Sequence, residues 1–144
     1  MRRPWRTALL AITLMALAAA VRADDFQILV HGSVVGTKIS RALLASIFMK
    51  QTINWGDGSR ILPIHQSSKS PVRQAFARQV LGQSLGEQQL FWRRRMAKTQ
   101  ILPPPSKASD EEVLAFVAKN KGAIGYVSVG VETPPDVKVL TLFD

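Results

Sequence analysis

Apolar residues along this chain fall into two patterns. Short unbroken runs read as buried strands, and stripes spaced three and four apart read as helices. Phe26-Gln27-Ile28-Leu29-Val30-His31 is a run of the first kind, closed by Gly32, with Val34-Val35-Gly36 either extending it or turning. Ser40 then caps a helix whose Leu43, Leu44, Ile47 and Phe48 form one face, ending near Met49 or Lys50. Asn54-Trp55-Gly56-Asp57-Gly58-Ser59 is a turn-rich loop with Trp55 packed at its base. Ile61-Leu62-Pro63-Ile64-His65 is the next strand, and its proline belongs at an edge or a strand end. A helix starting at Pro71 carries Val72, Ala75, Phe76, Gln79 and Val80 and closes at Gly82. Another runs from Gly86 to Lys98, with Leu85, Trp92 and Met96 along one side and Leu90 and Phe91 flanking it.

Leu102-Pro103-Pro104-Pro105-Ser106 cannot continue a helix and reads as an extended surface crossing inside the domain. Ser109-Asp110-Glu111-Glu112 is a capping box with acids on the positive helix end; Val113, Leu114, Phe116 and Val117 follow as the core face. Gly122 ends that helix. Ala123 to Ser128 is a buried strand, and Val137 to Leu142, after Pro134-Pro135, a half-exposed one. The order β-α-β-α-α-α-β-β predicts an α/β fold: a mixed, mainly parallel sheet flanked by helices on both faces.

The N-terminus stands outside this scheme. Arg2, Arg3 and Arg6 precede an apolar run from Ala8 to Val21, and Val21-Arg22-Ala23 offers small residues for a signal peptidase. The run is shorter than the roughly 20 residues a spanning helix needs. Residues 1–23 are therefore expected to be a secretory signal peptide and residues 24–144 a single domain, with no membrane span after cleavage and a periplasmic location. Losing the four arginines of the leader lowers the net charge from +9 to +5. That is too modest, in an exported protein, to point to nucleic acid. With no cysteine in the chain, neither a disulfide scaffold nor a thiolate metal site is available, and a core must supply the stability.

One stretch concentrates polar chemistry. After the strand ending at His65 come Gln66, Ser67, Ser68, Lys69 and Ser70, then Pro71 and Arg73. Ser70 is a plausible N-cap and Pro71 suits the first helical position. Hydroxyls, a helix N-terminus and a guanidinium in one place can hold a small anion; equally, they can simply start a helix. Other chemistry finds little support. The Asp57 loop lacks the spaced oxygen ligands and closing Glu of a calcium loop. No Gly-x-Ser-x-Gly elbow, phosphate-cradling glycine loop or dinucleotide fingerprint occurs. His31 and His65 end two strands but have no third ligand to make a metal site. Arg93-Arg94-Arg95 point about 100° apart on a helix, which makes a solvated set rather than a flat basic face, the sharper alternative being contact with an acidic partner or anionic lipid. No catalytic constellation, cofactor or metal is expected.

Three passages in order resemble the phosphate-binding proteins of ABC importers. In Ile39 to Gly58, the residues Ile47, Phe48, Ile53, Trp55 and Asp57 fit an Ile-Phe-Gly-x-Ile-x-x-Trp-x-Asp pattern, with Lys50 or Gln51 where a glycine is usual. The second passage is the serine turn. The third, Lys121-Gly122-Ala123-Ile124-Gly125-Tyr126-Val127, is similar to Pro-Gly-Ala-Ile-Gly-Tyr-Val. The resemblance spans about residues 26 to 142 and implies one lobe of a type 2 periplasmic-binding fold, mainly the second of two, the chain being too short for both. It also implies a ligand set at Gln66, Ser67, Ser68, Ser70 and Arg73. There Gln66 stands for the family's arginine, Ser68 for its aspartate, Pro71 for its glycine, and Val72 and Arg73 for two threonines, while Ser70 keeps the serine. The aspartate's role as acceptor for a protonated phosphate is thus expected to be missing.

Two functions follow from this reading. One is an exported, non-enzymatic binding protein that takes phosphate or a similar oxyanion at the serine turn, in ABC transport or sensing. The other is a periplasmic interaction module that kept the lobe and lost the ligand, pairing with itself or with an envelope or transporter protein.

Overall fold

The structure is a computed structural model that describes residues 26–144. The expected signal peptide, residues 1–23, lies outside the described residues.

The central strand is β1 (Phe26–His31). It pairs antiparallel on one side with β6 (Ala123–Ser128) and on the other with β7 (Val137–Phe143). Two short strands complete the sheet in parallel, β2 (Lys38–Ser40) beside β7 and β3 (Leu62–Pro63) beside β6, giving the order β2-β7-β1-β6-β3. A separate parallel pair joins β4 (His65–Gln66) to β5 (Ser106–Lys107). The mixed α/β sheet is as expected. Its parallel share is confined to these short pairs, while the longest ladders are antiparallel. Strands β2 and β5, too short to carry a pattern of their own, were not foreseen.

Side-chain alternation in β1 and β6 divides the core into two layers. Ile28, Val30, Ile124 and Tyr126 face one way, against Leu44, Ile47 and Phe48 of α1 (Arg41–Phe48) and Val72 and Phe76 of α2 (Pro71–Phe76). Leu29, Ala123 and Val127 face the other way, against Val113 and Val117 of α4 (Asp110–Lys119). Helix α4 sits close because β6 carries Gly125. A Cβ there would come within 2.8 Å of Ile64 Cγ2 and 2.9 Å of Val113 Cγ1. On the first face Phe76 and Tyr126 stack with centroids 3.9 Å apart, and Phe48 meets both edge-on.

The predicted helices are all present. Helix α2 continues as a π-helical segment over Ala77–Leu81 and stops at Gly82, which is left-handed at φ 63°. Helix α3 (Leu85–Lys98) opens with a full capping box between Ser84 and Glu87. Its buried residues are Gln88 and Trp92, while Leu90 and Met96, expected beside the core, are substantially exposed. At α4 the Ser109 side chain caps as predicted, but Glu112 reaches back to the Ala108 amide rather than to that of Ser109.

Candidate functional site

The chain leaves the main sheet at one point, and that point sets up the site. The Ile64 N–H still bonds to Ile124 O in the main sheet at 2.9 Å, whereas the His65 N–H bonds to Pro105 O beside the small pair at 2.8 Å. Beyond it Ser67 closes a tight turn: its carbonyl accepts from the Ser70 amide at 2.9 Å and its hydroxyl from the Lys69 amide at 3.3 Å. Ser70, extended at φ −75° and ψ 132°, caps α2 by accepting from Val72 N–H at 3.2 Å, and Pro71 fills the first helical position. The local sequence logic of the turn is therefore what the structure contains.

The five expected ligand residues do not share one cleft. Gln66 and Ser70 line an opening of about 340 Å³ together with Pro71, Val72, Ser109, Asp110 and Ser128. Ser68 and Arg73 instead line a groove of about 400 Å³ beside Gln88, Trp92 and Pro103. Ser67 is engaged in the turn itself. Arg73 donates from Nη1 to the Gln66 carbonyl at 2.8 Å, while its Nε and both polar atoms of the Gln88 amide are buried without a partner.

Two serine-capped helices open on the first cleft. Ser70 begins α2 and Ser109 begins α4, and each N-terminus carries the partial positive charge of a helix start. Asp110, the first residue of α4, is the group that sequence reasoning missed. Its Oδ1 accepts from the Ser128 amide at 3.2 Å and from the Gln66 side-chain Nε2. In the sequence Asp110 shows only as a charge on a helix end. The serine-capped start of α4 is visible in the sequence, but its place opposite the first depends on β5 pairing with β4.

Beneath the turn lies a buried polar network. His65 Nδ1 and the Tyr126 hydroxyl are 2.8 Å apart, and the Gln66 amide donates to the same hydroxyl at 3.4 Å. Burial, aided by the charge of Arg73, holds the His65 pKa well below its ordinary value and the ring neutral. Burial likewise raises that of the Tyr126 phenol and lowers that of the Arg73 guanidinium. His31 serves elsewhere, bonded to the Ser33 hydroxyl at 2.8 Å, so the two strand-end histidines have separate partners. Of the three consecutive arginines, Arg93 and Arg94 are exposed, whereas Arg95 lies over the Trp92 ring and donates to the Met49 and Lys50 carbonyls.

The chain matches no protein-family model and no curated protein sequence. Among solved structures it is similar to an ABC-type phosphate transport receptor from Vibrio cholerae, at 19% identity and a TM-score of 0.61, over 81% of this chain and 45% of that one. It is similar to PstS from Borrelia burgdorferi at 18% identity and a TM-score of 0.64, over 81% of this chain and 46% of that one. A Clostridium perfringens structure with bound phosphate gives 18% identity and a TM-score of 0.61, over 81% and 44%. The chain thus spans less than half the length of each. At these identities the likeness shows the fold, a mixed α/β unit matching a lobe-sized part of those structures.

Proposed function

We propose that this chain is an exported, periplasmic, phosphate-binding-like protein, holding phosphate or a similar oxyanion at the serine turn in the service of ABC transport or sensing. The observation that carries the reading is the cleft where the capped ends of α2 and α4 meet, in a fold shared with structures named for phosphate. Helix ends and the Ser70 and Ser109 hydroxyls offer donors there, while the Gln66 side-chain amide is committed to Asp110 Oδ1 and the Tyr126 carbonyl. The turn made by Ser67 and Ser68 holds the end of α2 in place, and Arg73, tied to the Gln66 carbonyl, adds positive charge behind it.

Asp110 shapes which anion fits. A carboxylate accepts hydrogen bonds and repels a bare anion, so it favours an oxyanion that still carries a proton. Phosphate near neutral pH does, and sulfate does not. The acceptor absent from the serine turn is supplied in this reading by α4, from a different part of the chain.

Calorimetry on the protein purified from its own export route tests both halves. Mass spectrometry should find an N-terminus at Asp24, and phosphate should bind more tightly than sulfate. Absence of heat and of any thermal shift at millimolar phosphate would refute the reading.

A further inference from the structure

A second ligand site lies where α1 ends, away from the serine turn, and it starts from a strained residue. Lys50 has φ 53°, the one positive φ among the described non-glycine residues. It occupies the first position past the helix cap: its N–H bonds to Ile47 O at 3.0 Å, and the Gln51 N–H bonds to Ser46 O at 2.9 Å. This pair of bonds is the Schellman ending, in which glycine is the usual left-handed residue. A lysine in this conformation is unfavourable, and its charge is not needed to neutralise the helix end. Arg95 already does that by donating to the carbonyls of Met49 and Lys50.

The lysine stands instead at a pocket. A cavity of about 110 Å³ is walled by Ile47, Ile53, Leu62, Pro105 and Phe116, with Lys50 and Arg60 among its lining. No carboxylate among the described residues forms an ion pair with either of these two cations. Partial burial, then the nearby charges of Arg60 and Arg95, lower the Lys50 pKa, a penalty that an incoming anion would relieve.

We propose that this pocket binds a small monocarboxylate with a branched apolar body of four or five carbons, the carboxylate between Lys50 and Arg60 and the body against Ile47, Ile53 and Phe116. Size sets the upper limit, since a dry cavity of about 150 Å³ holds benzene. The apolar walls set the class. A bare phosphate or sulfate would leave them uncovered, and a neutral alcohol of the same shape would leave the cations unanswered. The site is independent of the oxyanion cleft.

The probes are isobutyrate, isobutanol and inorganic phosphate, titrated into isotope-labelled protein and followed by NMR at Lys50, Arg60, Ile53 and Phe116. Isobutyrate should give saturable shifts at these residues in the millimolar range and raise the Lys50 pKa. Lys50→Gly should weaken that binding about tenfold or more, the size of one charge-assisted contact. It should meanwhile keep or raise the melting temperature, by up to about 5 °C, because glycine relieves the strain. Arg60→Gln should weaken binding similarly. Equal binding of isobutanol, phosphate shifting the same residues as strongly, or no saturable shift with isobutyrate would each overturn the proposal. So would a Lys50→Gly protein that is folded and binds as the wild type does.

Discussion

Replacing Asp110 with asparagine separates the two roles the structure gives that side chain. As the first residue of α4 it sits on the positive end of the helix, worth about 0.3–1 kcal/mol exposed and up to about 2 partly buried. Its Oδ1 also accepts from the Ser128 amide and from Gln66 Nε2. Asparagine keeps an oxygen that can accept both bonds, so only the charge assistance is lost, on the order of 1 kcal/mol per bond at most. The sum is about 1–3 kcal/mol, or a fall in Tm of roughly 4–12 °C for a domain of this size. The anion response runs the other way. Two like charges at about 4 Å repel by about 1 kcal/mol in water and about 4 in a partly screened cleft. Asp110→Asn should therefore improve sulfate binding about fivefold or more, while phosphate loses its acceptor and weakens. Calorimetry with both anions, alongside thermal melts, measures the three quantities on one variant. If stability falls and sulfate affinity does not rise, Asp110 is a structural cap and the selectivity argument is wrong.

Three further expectations test the fold around the site. His65 is buried with a pKa well below 6.5, so the unfolded chain takes up a proton that the native protein refuses. Its contribution to stability is full above the unfolded value and is lost as pH falls below it, at up to about 1.4 kcal/mol per pH unit; urea melts from pH 7 to 5 should show that slope, and His65→Gln should flatten it. Gly125→Ala would place a methyl within 2.9 Å of both Ile64 and Val113 side chains, at a cost of about 1–3 kcal/mol of overpacking, read by urea unfolding and partly recovered by adding Val113→Ala. Ser84→Ala breaks the capping box of α3 and should cost about 1 kcal/mol, seen as faster hydrogen exchange in the first turn of that helix with little change in α4.

What was legible in the sequence follows from the range of the interactions involved. Ser40, Ser70 and Ser109 signalled their helices because a cap is satisfied within three residues. The runs at β1 and β6 were legible because burial on both faces leaves little room for polar residues. Strands β2 and β5 carry no such signal and exist because β7 and β4 present edges to them. The candidate site divides along the same line. The start of α2 is local and was read correctly, and Gln66 and Ser70 do face the cleft. Ser68 and Arg73 were grouped with them by proximity in sequence, but a tight turn reverses direction within a few residues, and these two line the other groove. Asp110 and Ser128 reach the cleft only through the pairing of β4 with β5 and the packing of α4 on β6. No spacing rule joins them to Gln66. One of the departures from the resembled pattern, a lysine or glutamine where a glycine is usual, includes Lys50, which takes the left-handed conformation that favours glycine. That angle is set by the Schellman ending of α1, a geometry fixed by bonds from Lys50 and Gln51 back to Ile47 and Ser46, which no reading of residue types alone would assign to a lysine.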